Sequence, residues 1–345
     1  MEPDGTTVAL DGFGVERGFS VLAAGARLAA GDGISLRVFG PVRELGELNG
    51  DGIEVVDTEE AITNDDDPVG AVRARPDASV VRSVSDAAAG RSDAIVSMGP
   101  TGATMAAATF GLGRAKGVKR PALAAQVPLP GRTVLFLDVG ANLEVRPQHL
   151  VQFAFLGSAF MRSVRGIAEP EVGLLSVGEE PGKGTPGQVE AYRVLESTQE
   201  INFIGNLEGG DIPLANADVV VTDGFTGNAV LKAMEGTVKA VTSAIGSAAR
   251  SNPVAAVGGL LLRPALGGLK EDLHPDTTGG AILLGLRTTA VVGHGSAGPE
   301  GVANAIRLAA ASARVDAPAL TEESLRRAGL NRGAIRAERV SAAES

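Results

Sequence analysis

The sequence predicts a doubly wound α/β fold, a mostly parallel sheet with helices on both faces. Two observations carry this. Short, nearly continuous apolar runs end in Gly or Asp, as in strands buried on both faces. Helical stretches follow these runs in strand-then-helix order. Thr7–Leu10, Ile34–Phe39, Ala94–Ser97, Thr133–Leu137, Val172–Val177, Val219–Thr222 and Thr289–Val292 read as strands. The helices are an Ala-rich Gly102–Ala115, a Pro-initiated Pro147–Val164, a long Thr226–Arg250 and Pro299–Arg314.

The 345 residues, 44% apolar and 21% charged, suffice for a large core. Residues 1–315 read as one α/β domain and 316–345 as a polar tail, with Thr321-Glu322-Glu323 capping one short helix. Asn64–Pro76 reads as an exposed loop, and residues 251–280 as an irregular, protruding arm punctuated by Gly and Pro.

Composition excludes several chemistries. The chain has no cysteine, so disulfides, thiolate catalysis and Cys-ligated zinc are ruled out. His149, His274 and His294 lie too far apart in sequence for a His metal site, and no metal or cofactor is expected. A net charge of −10 disfavours nucleic acid. The acidic start lacks secretory-signal features, and Val254–Leu269 is too short and too broken to span a bilayer, so a cytoplasmic protein is expected.

Small-polar, Gly-rich turns follow six strands. They are Asp11-Gly12-Phe13-Gly14, Met98-Gly99-Pro100-Thr101-Gly102, Asp138-Val139-Gly140-Ala141-Asn142, Gly178-Glu179-Glu180 with Lys183-Gly184, Asp223-Gly224-Phe225-Thr226-Gly227-Asn228, and His294-Gly295-Ser296. Ligands of open α/β sheets bind beyond carboxyl strand ends, where Gly-rich turns aim N–H groups at anions. For any one turn the plainer reading is a simple αβ connection. Six at equivalent strand ends point to one phosphate-handling cleft. None matches a nucleotide P-loop, and Asp11–Gly14 is a poor dinucleotide fingerprint, which argues against a hydride-transferring dehydrogenase.

Leu137-Asp-Val-Gly-Ala-Asn-Leu-Glu-Val-Arg-Pro-Gln-His-Leu-Val-Gln-Phe153 resembles a segment of the acyl-ACP:phosphate acyltransferase family, PlsX type. Val172–Glu180, Ile201–Gly209, Asp218–Asn228 and Gly279–Ser296 also match, in order, from about Val8 to Ala313. The resemblance implies an isocitrate/isopropylmalate dehydrogenase-like fold and a homodimer with the cleft near the interface. The implied reaction converts acyl-ACP and inorganic phosphate to acyl phosphate and free acyl carrier protein. The implied setting is phospholipid synthesis, with peripheral membrane association and contact with a glycerol-3-phosphate acyltransferase.

The resemblance assigns Lys183 to phosphate binding and transition-state charge. Asn228 either donates to the thioester oxyanion or caps its helix. Asp223 either orients Lys183 or Asn228 or caps the turn, and Asp138 and Asn142 carry the same alternatives. His294 protonates the leaving thiolate, binds phosphate, or is structural. The expected substrate-binding positions are Asp11, Thr101, Gly102, Asp138, Asn142, Glu179, Asp223, Gly227 and Ser296. His149 reads as structural and His274 as a surface residue.

The chain departs from the family at Val15, Glu16, Pro100 and Thr185. Val15 stands where a ligand would approach backbone, and Pro100 removes a donor. The arm, with Gly267-Gly268 and Glu271-Asp272, is less basic than usual, although Leu260–Leu262 beside Arg263 and Lys270 suits a lipid or acidic-carrier interface. The alternative reading is therefore a non-catalytic or altered-substrate relative that binds acyl carrier protein or lipid-synthesis enzymes. Transfer from acyl-CoA is a third option.

Overall fold

Strand residues alternate between two cores, and this alternation places the helices. The computed structural model describes residues 5–129, 131–258, 260–262 and 275–330. In chain order the elements are β1 (Thr7–Asp11), α1 (Phe19–Gly31), β2 (Ser35–Gly40), α2 (Val42–Leu45), β3 (Ile53–Asp57), α3 (Pro68–Ala74), α4 (Ser79–Ala88), β4 (Ala94–Ser97) and α5 (Thr101–Gly111). Then come β5 (Ala122–Leu129), β6 (Arg132–Leu137), α6 (Pro147–Ser163), β7 (Glu171–Leu175), α7 (Pro186–Glu196), β8 (Asn202–Leu207), β9 (Val219–Val221) and α8 (Gly224–Ala249). The chain closes with β10 (Ala281–Leu284), β11 (Thr289–Val292), α9 (Pro299–Arg314) and α10 (Ala317–Arg327).

Val8, Leu10, Leu135, Leu137, Val219 and Val221 face one core, with α1, α6, α7, α9 and Leu325 of α10. Ala9, Val134, Phe136 and Val220 face the other, with α3, α4 and α5, and Val230, Leu231 and Met234 of α8 pack there. The fold is doubly wound, as expected. Every residue of α6 from His149 to Met161 is buried, so this helix is covered all round and fills the centre of its layer.

The sheet has 11 strands in the order β3-β2-β1-β4-β11-β10-β5-β6-β9-β7-β8. Most pairings are parallel, but β11–β10, β10–β5 and β5–β6 are antiparallel. Three successive reversals turn the second half of the sheet around. Hence β1, β4 and β11 run one way, and β6, β9 and β7 run the other. The expectation that all six turns sit at equivalent strand ends is corrected here: they form two sets of three.

Three other expectations change. Thr321 does not cap the last helix: Asp316 does, accepting from Ala319 N at 3.2 Å, and Thr321 lies inside the helix and donates to Ala317 O at 2.8 Å. Asn64–Pro76 holds α3, because Asp67 caps it by accepting from Gly70 N at 2.7 Å and Pro68 opens its first turn. The arm begins helical at residues 253–258 and 260–262. Arg263, Gly267, Gly268, Lys270, Glu271, Asp272 and His274 lie outside the described residues.

Candidate functional site

The carboxyl ends of three neighbouring strands, β6, β9 and β7, gather Asp138, Asn142, Asp223, Gly227, Asn228, Glu179 and Lys183. After β6 the chain passes to α6 on one face, and after β9 to α8 on the other. Adjacent strands whose helices diverge leave a crevice at their carboxyl ends, the place where open α/β sheets bind ligands.

Asp138 is the buried anchor of this site. Its carboxylate accepts from the backbone N–H groups of Leu123 (3.0 Å), Gly140 (3.2 Å), Ala141 (2.9 Å) and Asn142 (2.7 Å), and from Asn142 Nδ2 (2.7 Å). Burial pushes this carboxyl above the ordinary aspartate value, and the donors oppose that push. Asn142 also donates to Pro121 O at 2.8 Å. Both side chains are committed to the turn, so the turn-forming alternative describes them.

The β6 and β9 turns lock together. Gly224 N donates to Asn142 O at 2.8 Å. A Cβ on Gly227 would stand 1.9 Å from Asp138 O, so only glycine lets α8 start this close to the β6 turn. Asp223 is the N-cap of α8 and accepts from Thr226 N (2.8 Å) and Thr226 Oγ1 (2.7 Å). That leaves Asn228, exposed one turn into the helix, outside the capping role.

Lys183 is exposed in the loop after β7, and among the described residues no acidic group pairs with it. Its N–H donates to Glu180 O at 3.0 Å, and its stem lies over Gly178. Glu179 is exposed beside it. Thr185, where the family usually has Asn, begins α7 with a capping box: Gln188 N donates to Thr185 Oγ1 (3.3 Å), and Thr185 N donates to Gln188 Oε1 (2.7 Å).

The other set lies at β1, β4 and β11. Asp11 is buried and accepts from Ser79 Oγ (2.5 Å), Ser97 Oγ (2.7 Å) and Phe13 N (3.2 Å). Burial raises its carboxyl above the usual range against those bonds. Gly14, at φ +96°, packs so closely that a Cβ would stand 2.3 Å from Gly99 Cα. Glu16 N donates to Gly295 O at 2.8 Å. Val15 packs against the core, so it does not obstruct the turn. Pro100 is the N-cap of α5, and its carbonyl accepts from Thr104 N at 3.0 Å, a role that needs no N–H. Thr101 opens that helix, and Gly102 abuts Pro68.

His294 and Ser296 pair locally. Ser296 N donates to His294 Nδ1 at 3.2 Å, and Ser296 Oγ lies 2.8 Å from the same nitrogen. The neutral ring therefore carries its proton on Nε2.

His149 stands apart from both sets. Its Nδ1 accepts from Arg146 N at 3.1 Å at the start of α6, and burial, with Arg120, Lys119 and Arg146 nearby, lowers its pKa from 6.5 to about 4. Between those values the unfolded chain binds the proton and the folded chain does not. Stability therefore falls as pH drops through this window, by about 2–3 kcal/mol. His149→Gln keeps the acceptor without the titration. Urea melts of this variant from pH 7 to 4 are expected to show a shallower loss than the parent.

Sequence reasoning missed Arg120, whose guanidinium donates to Asn142 Oδ1 (3.5 Å) and Glu144 O (3.4 Å), bringing a cation to the β6 turn. Its place directly before Pro121 and β5 was the available signal. It also missed Ser176 and Thr222, whose burial at strand ends is visible only once the strands are paired.

Comparison with known proteins agrees with this architecture. The family model described as "Fatty acid synthesis protein" matches residues 6–319. A phosphate acyltransferase of Elusimicrobium minutum is 47% identical over 258 residues, 75% of each chain. One from Lactococcus lactis subsp. cremoris is 40% identical over 306 residues, 87% of this chain and 92% of that one. Among solved structures, a phosphotransacetylase from Streptococcus pyogenes superposes with a TM-score of 0.60 at 17% identity, covering 90% of this chain and 95% of that one, which speaks to the fold alone. With a family model spanning nearly the whole α/β domain and close relatives matched along most of their length, the chain belongs to the fatty acid synthesis protein family.

Proposed function

We propose that this chain is a phosphate acyltransferase that moves a fatty acyl group from the thioester of an acyl carrier protein to inorganic phosphate. The observation that carries this reading is Lys183. Among the described residues it is a cation with no ion-pair partner, in the loop after β7, beside the crevice opened between β6 and β9. An anionic acceptor needs such a charge, and phosphate, already anionic near neutral pH, needs little further activation.

In this reading Lys183 holds phosphate and spreads the charge that develops during transfer. A phosphate oxygen bonds to the carbonyl carbon, the C–S bond breaks, and the thiolate leaves with the carrier. Asn228, exposed near the start of α8, donates to the carbonyl oxygen as it becomes an oxyanion. Asp138, Asn142, Asp223 and Gly227 hold the two turns in register, and Glu179 flanks the lysine. His294 belongs to the other set. With Ser296, Asp11, Thr101 and Gly102 it lies at strand ends that run the other way and takes no step here, and the departing thiolate takes its proton from water.

The test supplies purified protein with long-chain acyl-ACP or acyl-CoA and phosphate, and traps acyl phosphate as its hydroxamate. Product from acyl-ACP supports the reading. Product from acyl-CoA alone would replace the donor, and no product from either would favour the non-catalytic relative.

Assembly and location follow as part of the same reading. Val238, Val241 and Ile245 form an exposed apolar face on α8, at helical spacing, suited to a second copy in a homodimer. Leu260, Leu261 and Leu262 are exposed beyond it and suit peripheral contact with a membrane or with a glycerol-3-phosphate acyltransferase there. Among the described residues, no helix is long and apolar enough to cross a membrane. Val241→Asp is expected to yield monomers by light scattering.

A further inference from the structure

Two buried polar atoms lie beneath the Lys183 loop without hydrogen-bond partners: Ser176 Oγ and Asn206 Oδ1. Ser176 is 9% exposed and Asn206 6%, so neither side chain faces bulk water. They stand together. Leu174 pairs with Asn206 and Leu175 with Leu207 across β7 and β8, and Ser176 N donates to Leu207 O at 2.8 Å. Ser176 is two residues beyond Leu174, so its side chain shares the Asn206 face of the sheet.

The loop closes directly over them. Asn206 Nδ2 donates to Glu180 O at 2.9 Å. A Cβ on Gly184 would stand 2.9 Å from Ser176 Oγ, and Gly184 has φ +102°. No side chain therefore separates the serine hydroxyl from the turn that carries Lys183. An unpartnered buried polar group typically costs about 1–3 kcal/mol, so a fold that keeps two at one strand end is less stable than it needs to be. Stability is commonly given up in this way at sites shaped for a ligand.

We propose that Ser176 and Asn206 are further phosphate-binding residues, reached when the Lys183–Gly184 turn lifts away from the end of β7. This rests on the phosphate-acceptor reading above and adds groups to it. The chemistry of the pair fits monohydrogen phosphate. Its charged oxygens accept from the Ser176 hydroxyl and the Lys183 ammonium, while its single P–OH donates to Asn206 Oδ1. Sulfate, which carries no proton near neutral pH, leaves the Asn206 oxygen unmatched. Glycines stand at 178, 182 and 184 of this loop, and Gly182 is in open space, so the backbone has the freedom the lift requires.

The experiment compares the full-length parent with Ser176→Ala by two readouts: steady-state kinetics with varied phosphate and acyl donor, and thermal melts with phosphate or sulfate. Removing an unpartnered hydroxyl should leave the ligand-free melting temperature unchanged or raised. The KM for phosphate should rise on the order of tenfold or more, while the KM for the acyl donor moves less than about twofold. Phosphate should raise the melting temperature of the parent more than sulfate does, and the variant should lose this protection. A lower melting temperature with both KM values unchanged would make Ser176 structural and overturn the proposal. So would unchanged phosphate protection in the variant, and equal protection of the parent by sulfate would remove Asn206 from the pair. Failure of the underlying reading looks different: the parent would form no acyl phosphate with any donor, whether or not phosphate protected it.

Discussion

Lys183→Ala is expected to lower kcat/KM for acyl phosphate formation by about 100-fold or more, the usual cost of deleting a charge that stabilises a transition state. The fold should be unaffected. Lys183 is exposed, its side chain makes no ion pair among the described residues, and the loop is held by the backbone bond from Lys183 N to Glu180 O, which alanine keeps. Far-UV circular dichroism and melting temperature should match the parent. Lys183→Arg should recover part of the loss, since the charge remains but its reach and geometry change. Activity within about twofold of the parent in the alanine variant would remove Lys183 from the reaction.

Gly227→Ala is expected to have the largest effect on stability. The added methyl would meet Asp138 O at 1.9 Å, and a second neighbour, Thr222 Cγ2, at 3.0 Å. The carbonyl cannot yield easily. It belongs to a turn whose carboxylate is fixed by five donors and whose next bonds run to Thr222 and Asn142. Either α8 moves outward, breaking the Gly224 N to Asn142 O bond, or the β6 turn distorts. We expect a loss of about 3 kcal/mol or more by chemical denaturation, with activity lost even in the folded fraction. Gly236→Ala, in open space on the same helix, is the control and should be neutral or slightly stabilising.

Much of the framework was legible because its signals are local. The strands at Ala94–Ser97 and Thr289–Val292 and the helix Pro299–Arg314 have the bounds that periodicity and flanking turns predict. What escaped has physical reasons. β5 is rich in alanine, which reads poorly as strand, and β8 is a polar edge strand interrupted by Gly205 at φ +101°. The antiparallel insertion of β10 and β5 depends on pairings between residues more than a hundred apart, which no local pattern encodes. That insertion divides the six turns, so the site is smaller than a single six-turn cleft.

The site residues divide along the same line. Asp138, Asn142 and Asp223 stood out as polar residues at strand ends, and so they are, but their side chains are consumed in holding turns. Lys183 and Asn228 are exposed, make no side-chain hydrogen bond or ion pair among the described residues, and carry the proposed chemistry. Pro100 and Thr185, departures from the family pattern, turn out to start helices, which explains why the scaffold accepts them.

The central claim is that phosphate is the acceptor, and the dependence of thioester cleavage on phosphate tests it most directly. Release of free thiol from a long-chain acyl-ACP is followed as phosphate is raised from zero. The account predicts negligible release without phosphate, saturable release with it, and one acyl phosphate formed per thiol. Thiol release at the same rate without phosphate would make the protein a thioesterase and contradict the account.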